Sequence, residues 1–375
     1  MYCGDMRRVM RLNHIFYMAL AWSSIMLFSF GVNLCGAHST PAELVDLSLE
    51  QLMQMPVNSS KQPSIDHVMN RRWTFSVAYR TADINDFQRG TQDVSRDSLL
   101  YVIGSGDPRT SQNYPVLSYD IRQSALVIGA GYRIDELSQV SVYLPYIQQR
   151  SRHISSVPGY SAFTLSSEGM GDVVIHYNRR TYIDTSQGIN YSVGISLPVG
   201  SIDEEGDTPR APGNQQMPYP MQLGSGTWDI PISIAYFALF DGYEAQLRFS
   251  ARIRTERNDR DYRLGNRHTF SGLIQKTVNL STLEAGLIAD SIDPLKGEDA
   301  ELAVPSPFPY PANIADPNNY GGKRVYSYLS LSYPWVIEAS RVAPYLKLKV
   351  PLYQDLNGVQ PQDNTSIEAG LQLAF

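Results

Sequence analysis

Charged side chains recur at every second position in several segments of this chain. Between residues 243 and 256, Glu244, Arg248 and Arg252 share one parity and apolar residues occupy the other. Alternate residues of a β-strand face opposite sides, so the segment is predicted to be a strand with a charged face and an apolar face. The arginines would draw an anionic solute such as an aromatic carboxylate, or they would pair with nearby acids and support a wall.

The same parity places further charged residues on the polar faces of other predicted strands. If the apolar faces lie outside, these side chains line a common interior and are the candidates for selecting a solute. They are Arg72, Arg80, Asp172, Asp229, Glu244, Arg248, Arg252, Arg254, Glu284, Lys347, Lys349 and Glu368. Asp290 and four tyrosines, Tyr326, Tyr328, Tyr345 and Tyr353, are also expected to face inward, the tyrosines either as an apolar lining or as packing.

Few residues suggest catalysis or metal binding. The two cysteines, Cys3 and Cys35, both lie near the N-terminus, so the rest of the chain cannot supply a thiol nucleophile. His176 and His268 match no hydrolase pattern, and the acidic run 203–207 is interpreted as a solvated loop. We therefore predict a non-enzymatic protein with no catalytic residues, no cofactor and no metal site.

The elements that carry these side chains are short alternating segments separated by turns. The count is twelve, an even number, as in single-chain bacterial membrane barrels. The predicted strands are 71–80, 121–134, 138–149, 169–182, 188–200, 227–240, 243–256, 265–278, 281–292, 323–337, 341–354 and 365–375.

The predicted connections alternate in length. Tight turns are expected near residues 135–137, 184–186, 241–242, 279–280 and 338–340. Long loops are expected at 81–120, 150–168, 201–226, 257–264, 293–322 and 355–364. Such sorting is typical of outer-membrane barrels, with short periplasmic turns and long outer loops, whereas a soluble sandwich has no reason for it.

Both ends of the chain fit this interpretation. Residues 1–37 have a basic start, an apolar middle and a small-residue end, the layout of a signal peptide, although an uncleaved anchor is an alternative. Its removal takes three arginines and one aspartate and moves the net charge from −6 to −8, which argues against nucleic acid as a partner. The terminal aromatic, Phe375, resembles the signal that the barrel-assembly machinery reads.

Residues 38–70 precede the first predicted strand. Apolar residues at helical spacing predict a short amphipathic periplasmic helix, which is either a plug or partner-docking element or a loosely ordered leader. The residues of a possible partner-binding face are Leu44, Leu47, Leu49 and Leu52. Segment 44–53 also resembles the start of many TonB-dependent receptors, but the chain is too short for a receptor plug and barrel, so energised transport is not inferred.

Three motifs in the middle of the chain carry a wider resemblance. Residues 168–172 read EGMGD, 197–201 read LPVGS, and 223–229 read LGSGTWD. This order resembles the MetA-pathway of phenol degradation family, and the match covers about 168–292. The resemblance implies an outer-membrane barrel of about this size that carries hydrophobic or aromatic compounds. The motif residues themselves look structural.

Taken together, these features predict an all-β protein: a transmembrane, antiparallel, up-and-down β-barrel formed by residues 71–375. We expect it in the Gram-negative outer membrane, in contact with lipid and lipopolysaccharide, as a passive channel for small hydrophobic or aromatic molecules. The main alternative is a non-conducting structural or adhesion barrel. An outer-membrane hydrolase is the third and least favoured.

Overall fold

The computed structural model describes residues 72–337 and 340–375. The predicted signal peptide and the predicted helix with Leu44, Leu47, Leu49 and Leu52 lie outside the described residues. Twelve strands form a closed barrel, and all twelve predicted strands are confirmed. In chain order they are β1 (Trp73–Gly90), β2 (Val116–Arg133), β3 (Ser138–Ser155), β4 (Val173–Tyr182), β5 (Gln187–Leu197), β6 (Asp229–Phe240), β7 (Tyr243–Arg254), β8 (Arg267–Val278), β9 (Ser281–Ile292), β10 (Gly322–Ser332), β11 (Ser340–Gln362) and β12 (Ser366–Ala374).

Each strand pairs antiparallel with its neighbours in sequence, and the last strand pairs with the first. Thr74 of β1 lies opposite Ala374 of β12, and the pairing runs without interruption to Thr81 opposite Ile367. Closure pairs each of the twelve barrel strands on both sides, which is what backbone groups inside lipid require. Among the described residues, no helix is long and apolar enough to cross a membrane.

The apolar side chains of the barrel strands lie on the outer surface. Leu287, Phe270 and Leu346 are each more than half exposed, whereas charged residues on the opposite faces of the same strands, such as Arg267, Asp290 and Lys347, are buried. An apolar surface that covers a whole barrel is unfavourable in water but favourable in contact with lipid hydrocarbon. We call the zone where outward side chains are apolar the lipid band.

Short turns and long loops lie at opposite ends of the barrel, called here the turn end and the loop end. Both the first and the last predicted loops are shorter than expected. β1 continues to Gly90, and β11 continues to Gln362, so three residues join β11 to β12 in place of the predicted loop 355–364. The prediction of that loop was wrong because residues 356–362 pair with the outer part of β1.

These extensions stand above the lipid band. At this level the outward residues of β1, β2 and β3 are polar and include the ion pairs of Arg122 with Asp83 and of Arg152 with Asp120. The inner side of the extensions is held by an apolar cluster. Its buried members are Phe87, Leu99, Tyr114, Leu117 and Val359. The alternation of apolar and polar residues that marks a lipid-facing strand is therefore absent from the extensions, and only tertiary packing supports them.

The remaining long loops fold together over the loop end. We call residues 156–172, 198–228, 255–266 and 293–321 the loop cap. Tyr219, Tyr262 and Leu302 from three of these loops share an apolar core with Ile121, a buried residue of β2. Burial raises the pKa of both Tyr219 and Tyr262. The cap thus packs against the mouth of the barrel, and loop 293–322 is part of a folded unit.

Candidate functional site

The lumen has two chemically different walls. The inward side chains of β6 to β12 and of β1 include most of the charged residues of the barrel, and we call this the charged wall. The inward side chains of β2 to β5, the polar wall, are mainly uncharged in the middle of the barrel. Gln123, Ala125 and Val127 on β2 and His176 on β4 are examples.

Ion pairs hold the charged wall together near the loop end. Arg254 pairs with Asp229, Arg267 pairs with Asp290, and Arg324 Nε lies 2.9 Å from Asp363 Oδ2. All six side chains are almost fully buried. A buried charge without a partner is strongly destabilising, so these pairs are structural requirements of a charged lumen.

Arg80, Glu368 and Lys347 occupy one level on three neighbouring strands. Glu368 of β12 lies opposite Arg80 on one side and opposite Lys347 on the other. Its Oε1 accepts a hydrogen bond of 2.8 Å from the Tyr345 hydroxyl, and Arg80 Nη2 donates to Ser366 Oγ at 3.1 Å. The three predicted lumen charges therefore meet.

Two lysines lie over tyrosine rings in the lumen. Lys347 Nζ is 3.9 Å from the centroid of Tyr328, and Lys349 Nζ is 3.9 Å from that of Tyr326. The ring faces attract the ammonium groups through their quadrupoles. Three of the four predicted inward tyrosines thus contact lumen charges, because Tyr345 binds Glu368.

Tyr353 was predicted to face inward, and this was wrong. It is 48% exposed on the outside. A β-bulge between β10 and β11 pairs Val325 with Tyr353 and Tyr326 with Pro351, so Leu352 is an extra residue. One inserted residue reverses the parity of the strand beyond it.

Arg248 lies in the middle of the charged wall, and Arg252 lies nearer the loop end. Arg248 Nη2 donates to Gln246 Oε1 at 3.0 Å. Arg252 lies opposite Arg267 in the register of β7 and β8.

The acids nearest the turn end surround a glutamine. Gln275 Nε2 donates to Glu244 Oε2 at 3.0 Å, and Glu284 lies opposite Gln275 on the next strand. Arg72 lies apart from all these groups. It precedes β1, is exposed at the turn end, and donates to the Tyr132 hydroxyl at 3.2 Å.

Asp172 joins the three motifs that suggested a family resemblance. Its Oδ1 accepts a hydrogen bond of 3.0 Å from the Gly200 amide, and its Oδ2 accepts bonds of 2.9 and 2.6 Å from the amide and hydroxyl of Ser225. Gly200 and Gly224 are in backbone contact, since a Cβ on Gly224 would lie 2.3 Å from the Gly200 oxygen. The motifs thus bind the ends of β4, β5 and β6 to the loop cap.

Arg180, Arg267, Arg324 and Asp363 are charged lumen residues that were not predicted. Arg324 shares the parity of Tyr326, Arg180 shares that of Asp172, and Arg267 lies on the polar face of the predicted strand 265–278, so the same alternation would have found them. Asp363 lay in a predicted loop and had no such signal.

The candidates for other chemistry do not come together. His176 is buried in the lumen beside Tyr143, whereas His268 stacks on the outward ring of Phe249. In the acidic run, Asp203 pairs with Arg260 at 2.7 Å. No group of three or more potential metal ligands occurs among the described residues.

Phe375 ends the barrel on its outer surface. It exchanges two backbone hydrogen bonds of 3.1 Å with Trp73, and its ring stacks on Phe75 at 5.4 Å. The residue therefore completes the seam between β12 and β1 and remains half exposed.

No protein-family model matches this chain, and no curated protein matches it. The resemblance to the phenol-degradation family therefore stays a prediction. Among solved structures, an outer membrane channel from Pseudomonas putida F1 is similar over 81% of this chain and 96% of its own, with 11% identity and a TM-score of 0.53. The KdgM porin aligns over 80% of this chain and 99% of its own, with 10% identity and a TM-score of 0.36. A mutant of the TodX monoaromatic hydrocarbon channel covers 83% and 92%, with 10% identity and a TM-score of 0.39. The first likeness shows the fold of an outer-membrane barrel, and the other two carry no argument.

Proposed function

We propose that this chain is an outer-membrane channel for the passive passage of small molecules, and that its lumen favours anions. The observation that supports this proposal is a closed barrel with a lipid-facing exterior and a charged wall inside. A lumen built only for structural support could be filled with apolar side chains, whereas charges in a membrane interior usually mark a path for polar solutes.

The preference for anions rests on the balance of charge. The charged wall carries eight cationic side chains, Arg80, Arg248, Arg252, Arg254, Arg267, Arg324, Lys347 and Lys349. It carries six acids, Asp229, Glu244, Glu284, Asp290, Asp363 and Glu368. The excess of positive charge, facing a polar wall of low charge, gives a field that attracts anions.

An aromatic carboxylate is the solute class that combines this field with the sequence-based prediction of aromatic cargo. Its carboxylate would meet guanidinium groups such as Arg252, and its ring would slide past Tyr326 and Tyr328. Passage depends on movement of long side chains, because Arg248 and Lys347 are each less than a tenth exposed in a narrow lumen.

Liposome swelling with three solutes of similar size tests this proposal. Benzoate should enter faster than benzyl alcohol, and benzylammonium should be slowest. Arg252→Gln should reduce the difference, whereas Ser192→Ala on the polar wall should not. Equal rates for all three solutes would contradict the anion preference, and no entry of any solute would contradict the channel.

A non-conducting structural or adhesion barrel is the second candidate. The observation that favours it is the loop cap, which packs against the mouth. Gln149, an inward residue of β3, donates at 3.0 Å to the carbonyl of Gln222 in the cap. Planar-bilayer recordings separate the two candidates, since steady current steps support a channel and silence of a correctly folded barrel supports the second candidate.

Location and assembly partners are proposed on the same basis. We infer that the protein resides in the Gram-negative outer membrane, contacts lipid and lipopolysaccharide, and is inserted by the barrel-assembly machinery through Phe375. Replacement of Phe375 by Ser should reduce the amount of protein in outer-membrane fractions. Phe249→Ser, at another outward aromatic, is the matched control and should reduce it less.

A periplasmic partner for Leu44, Leu47, Leu49 and Leu52 also remains a proposal, which crosslinking from that segment would test.

A further inference from the structure

The loop cap contains a cavity that the lumen does not explain. Its volume is about 140 Å³. Apolar side chains form most of its wall, and they come from β2, from loop 293–321 and from a short strand of the cap, Ala162–Met170, that pairs with β3. They include Val116, Leu165, Leu302, Ala312 and Ala315.

The cavity lies outside the lipid band. On β3 the outward residues are apolar as far as Tyr146 and become Gln148, Arg150 and Arg152 beyond it. His153, which lines the cavity, is farther along the same strand. The cavity is therefore held by the folded loops and the strand extensions, and its ligands would arrive from the loop end.

His153 is the polar group that distinguishes this cavity from an ordinary packing defect. The residue is 2% exposed, and its ring stacks on Phe163 at 4.6 Å with an angle of 5° between the planes. Its Nε2 lies 3.4 Å from Ser151 Oγ, whereas its Nδ1 has no hydrogen-bond partner. A buried polar atom without a hydrogen-bond partner destabilises the folded protein. A ligand with a donor would remove that destabilisation.

The cavity is suited to a neutral molecule. Burial lowers the pKa of His153 to about 3, so the imidazole is uncharged at neutral pH and Nδ1 accepts when Nε2 carries the proton. Arg210 also lines the cavity, but its guanidinium donates to the main-chain carbonyls of Glu301 and Gln216. Because these hydrogen bonds occupy donors of the guanidinium, those donors are not offered to an anionic ligand in the cavity.

We propose that this cavity binds a neutral, single-ring aromatic molecule that carries one hydrogen-bond donor, such as a hydroxyl. The ring would pack against Leu165 and Leu302, and the hydroxyl would donate to His153 Nδ1. The volume fits, since an apolar cavity of roughly 150 Å³ in an unrelated protein holds one benzene molecule. The proposal goes beyond the proposed channel function and does not depend on conductance.

Binding is measured on the full chain in lipid nanodiscs with 4-fluorophenol, by fluorine-19 NMR, and empty nanodiscs correct for partition into lipid. A saturable shift is expected, with weaker binding of fluorobenzene and of 4-fluorobenzoate. Ala312→Leu fills the cavity and should abolish the saturable shift for 4-fluorophenol and fluorobenzene. Ala211→Leu, at an exposed position in the same cap, is the matched control and should leave the shift unchanged.

His153→Phe separates the hydrogen bond from the shape of the cavity. Phenylalanine retains a ring beside Phe163 but cannot accept a hydrogen bond. The preference for 4-fluorophenol over fluorobenzene should fall about fivefold, the effect of one ordinary hydrogen bond. A shift that never saturates would overturn the proposal. So would a saturable shift in an Ala312→Leu variant whose electrophoretic mobility still changes on heating, as that of a folded barrel does. An unchanged preference in His153→Phe would overturn the role of His153.

Discussion

The two walls of the lumen solve the same structural problem with different chemistry. The charged wall fills its space with long side chains that must find opposite charges, as Arg254 does with Asp229. The polar wall uses short neutral groups, such as Ser192, whose hydroxyl lies 2.8 Å from that of Ser233 on β6. Removal of one partner should therefore be far more costly on the charged wall.

The difference also separates two sources of function. Charge on one wall only sets up a field across the lumen, because the polar wall adds little to cancel it. The polar wall instead carries glycines and small residues, and its loop end is anchored through Asp172 to the cap. We expect the charged wall to govern ion preference and the polar wall to govern the position of the cap.

The largest effect is expected from Asp229→Ala. This change leaves Arg254 buried beside an empty position, and the loss of unfolding free energy should be about 3–5 kcal/mol. Ser192→Ala on the polar wall should cost about 1 kcal/mol. Urea unfolding in lipid vesicles measures both. A double replacement, Asp229→Ala with Arg254→Ala, should recover part of the loss, and equal costs for the two single variants would remove the distinction between the walls.

The next effect concerns the backbone contact at the loop end of the polar wall. Gly224→Ala places a Cβ against the Gly200 oxygen and should destabilise the barrel by about 1–3 kcal/mol. Protease cleavage within the cap should increase as well. Gly272→Ala is the control, because its Cβ would meet the flexible end of Leu247 at 3.2 Å and would lie 4.0 Å from the nearest backbone atom, the Gln246 oxygen. Similar protease resistance in both variants would show that the glycine contact does not hold the cap.

A smaller effect is expected on ion preference. Arg252→Gln removes one positive charge from the charged wall, and the ratio of anion to cation permeability should fall roughly fivefold, or about 1 kcal/mol. Gln123→Ala on the polar wall should leave the ratio unchanged. Reversal potentials in a salt gradient give both values. A larger change in the Gln123 variant would assign ion preference to the opposite wall.

The smallest effect is at the turn end, in the connection between β4 and β5. Hydrogen bonds from Gln187 and Ser186 lower the pKa of Asp184 from 3.8 to about 2. Because the folded pKa is below the unfolded one, the stabilisation is complete above pH 3.8 and is lost as the pH falls through 2. The protection of the amides in this turn against hydrogen exchange should fall over that interval. In Asp184→Asn the protection should change little with pH, and an identical pH response of protection in both proteins would exclude Asp184 as the cause.

The strands could be predicted because their signal is local. All twelve appear at their predicted places, although β1, β3 and β11 run well past their predicted ends, and the turn at Asp241 and Gly242 is as tight as expected. Inward charges such as Arg248 and Glu368 followed from parity alone. Parity failed at Tyr353, where a bulge inserts a residue, since the bulge depends on how β11 pairs with β10.

The cap and the strand extensions could not be predicted in the same way. Residues 85–90 become a strand because β11 passes beside them, and Tyr219 is buried because three other chain segments cover it. Neither event leaves a periodic pattern in the residues concerned. The cavity at His153 arises from the same packing and had no sequence signal.

What the sequence by itself determined is the alternation of apolar and polar residues and the chemistry of the turns, because both act between near neighbours. From these follow the number of strands, their outward faces and the charge of the interior. Tertiary structure decided which charges meet, as Arg324 meets Asp363, and how the loops close over the mouth. Those outcomes depend on contacts between residues far apart in the chain, and only closure of the barrel brings such residues together.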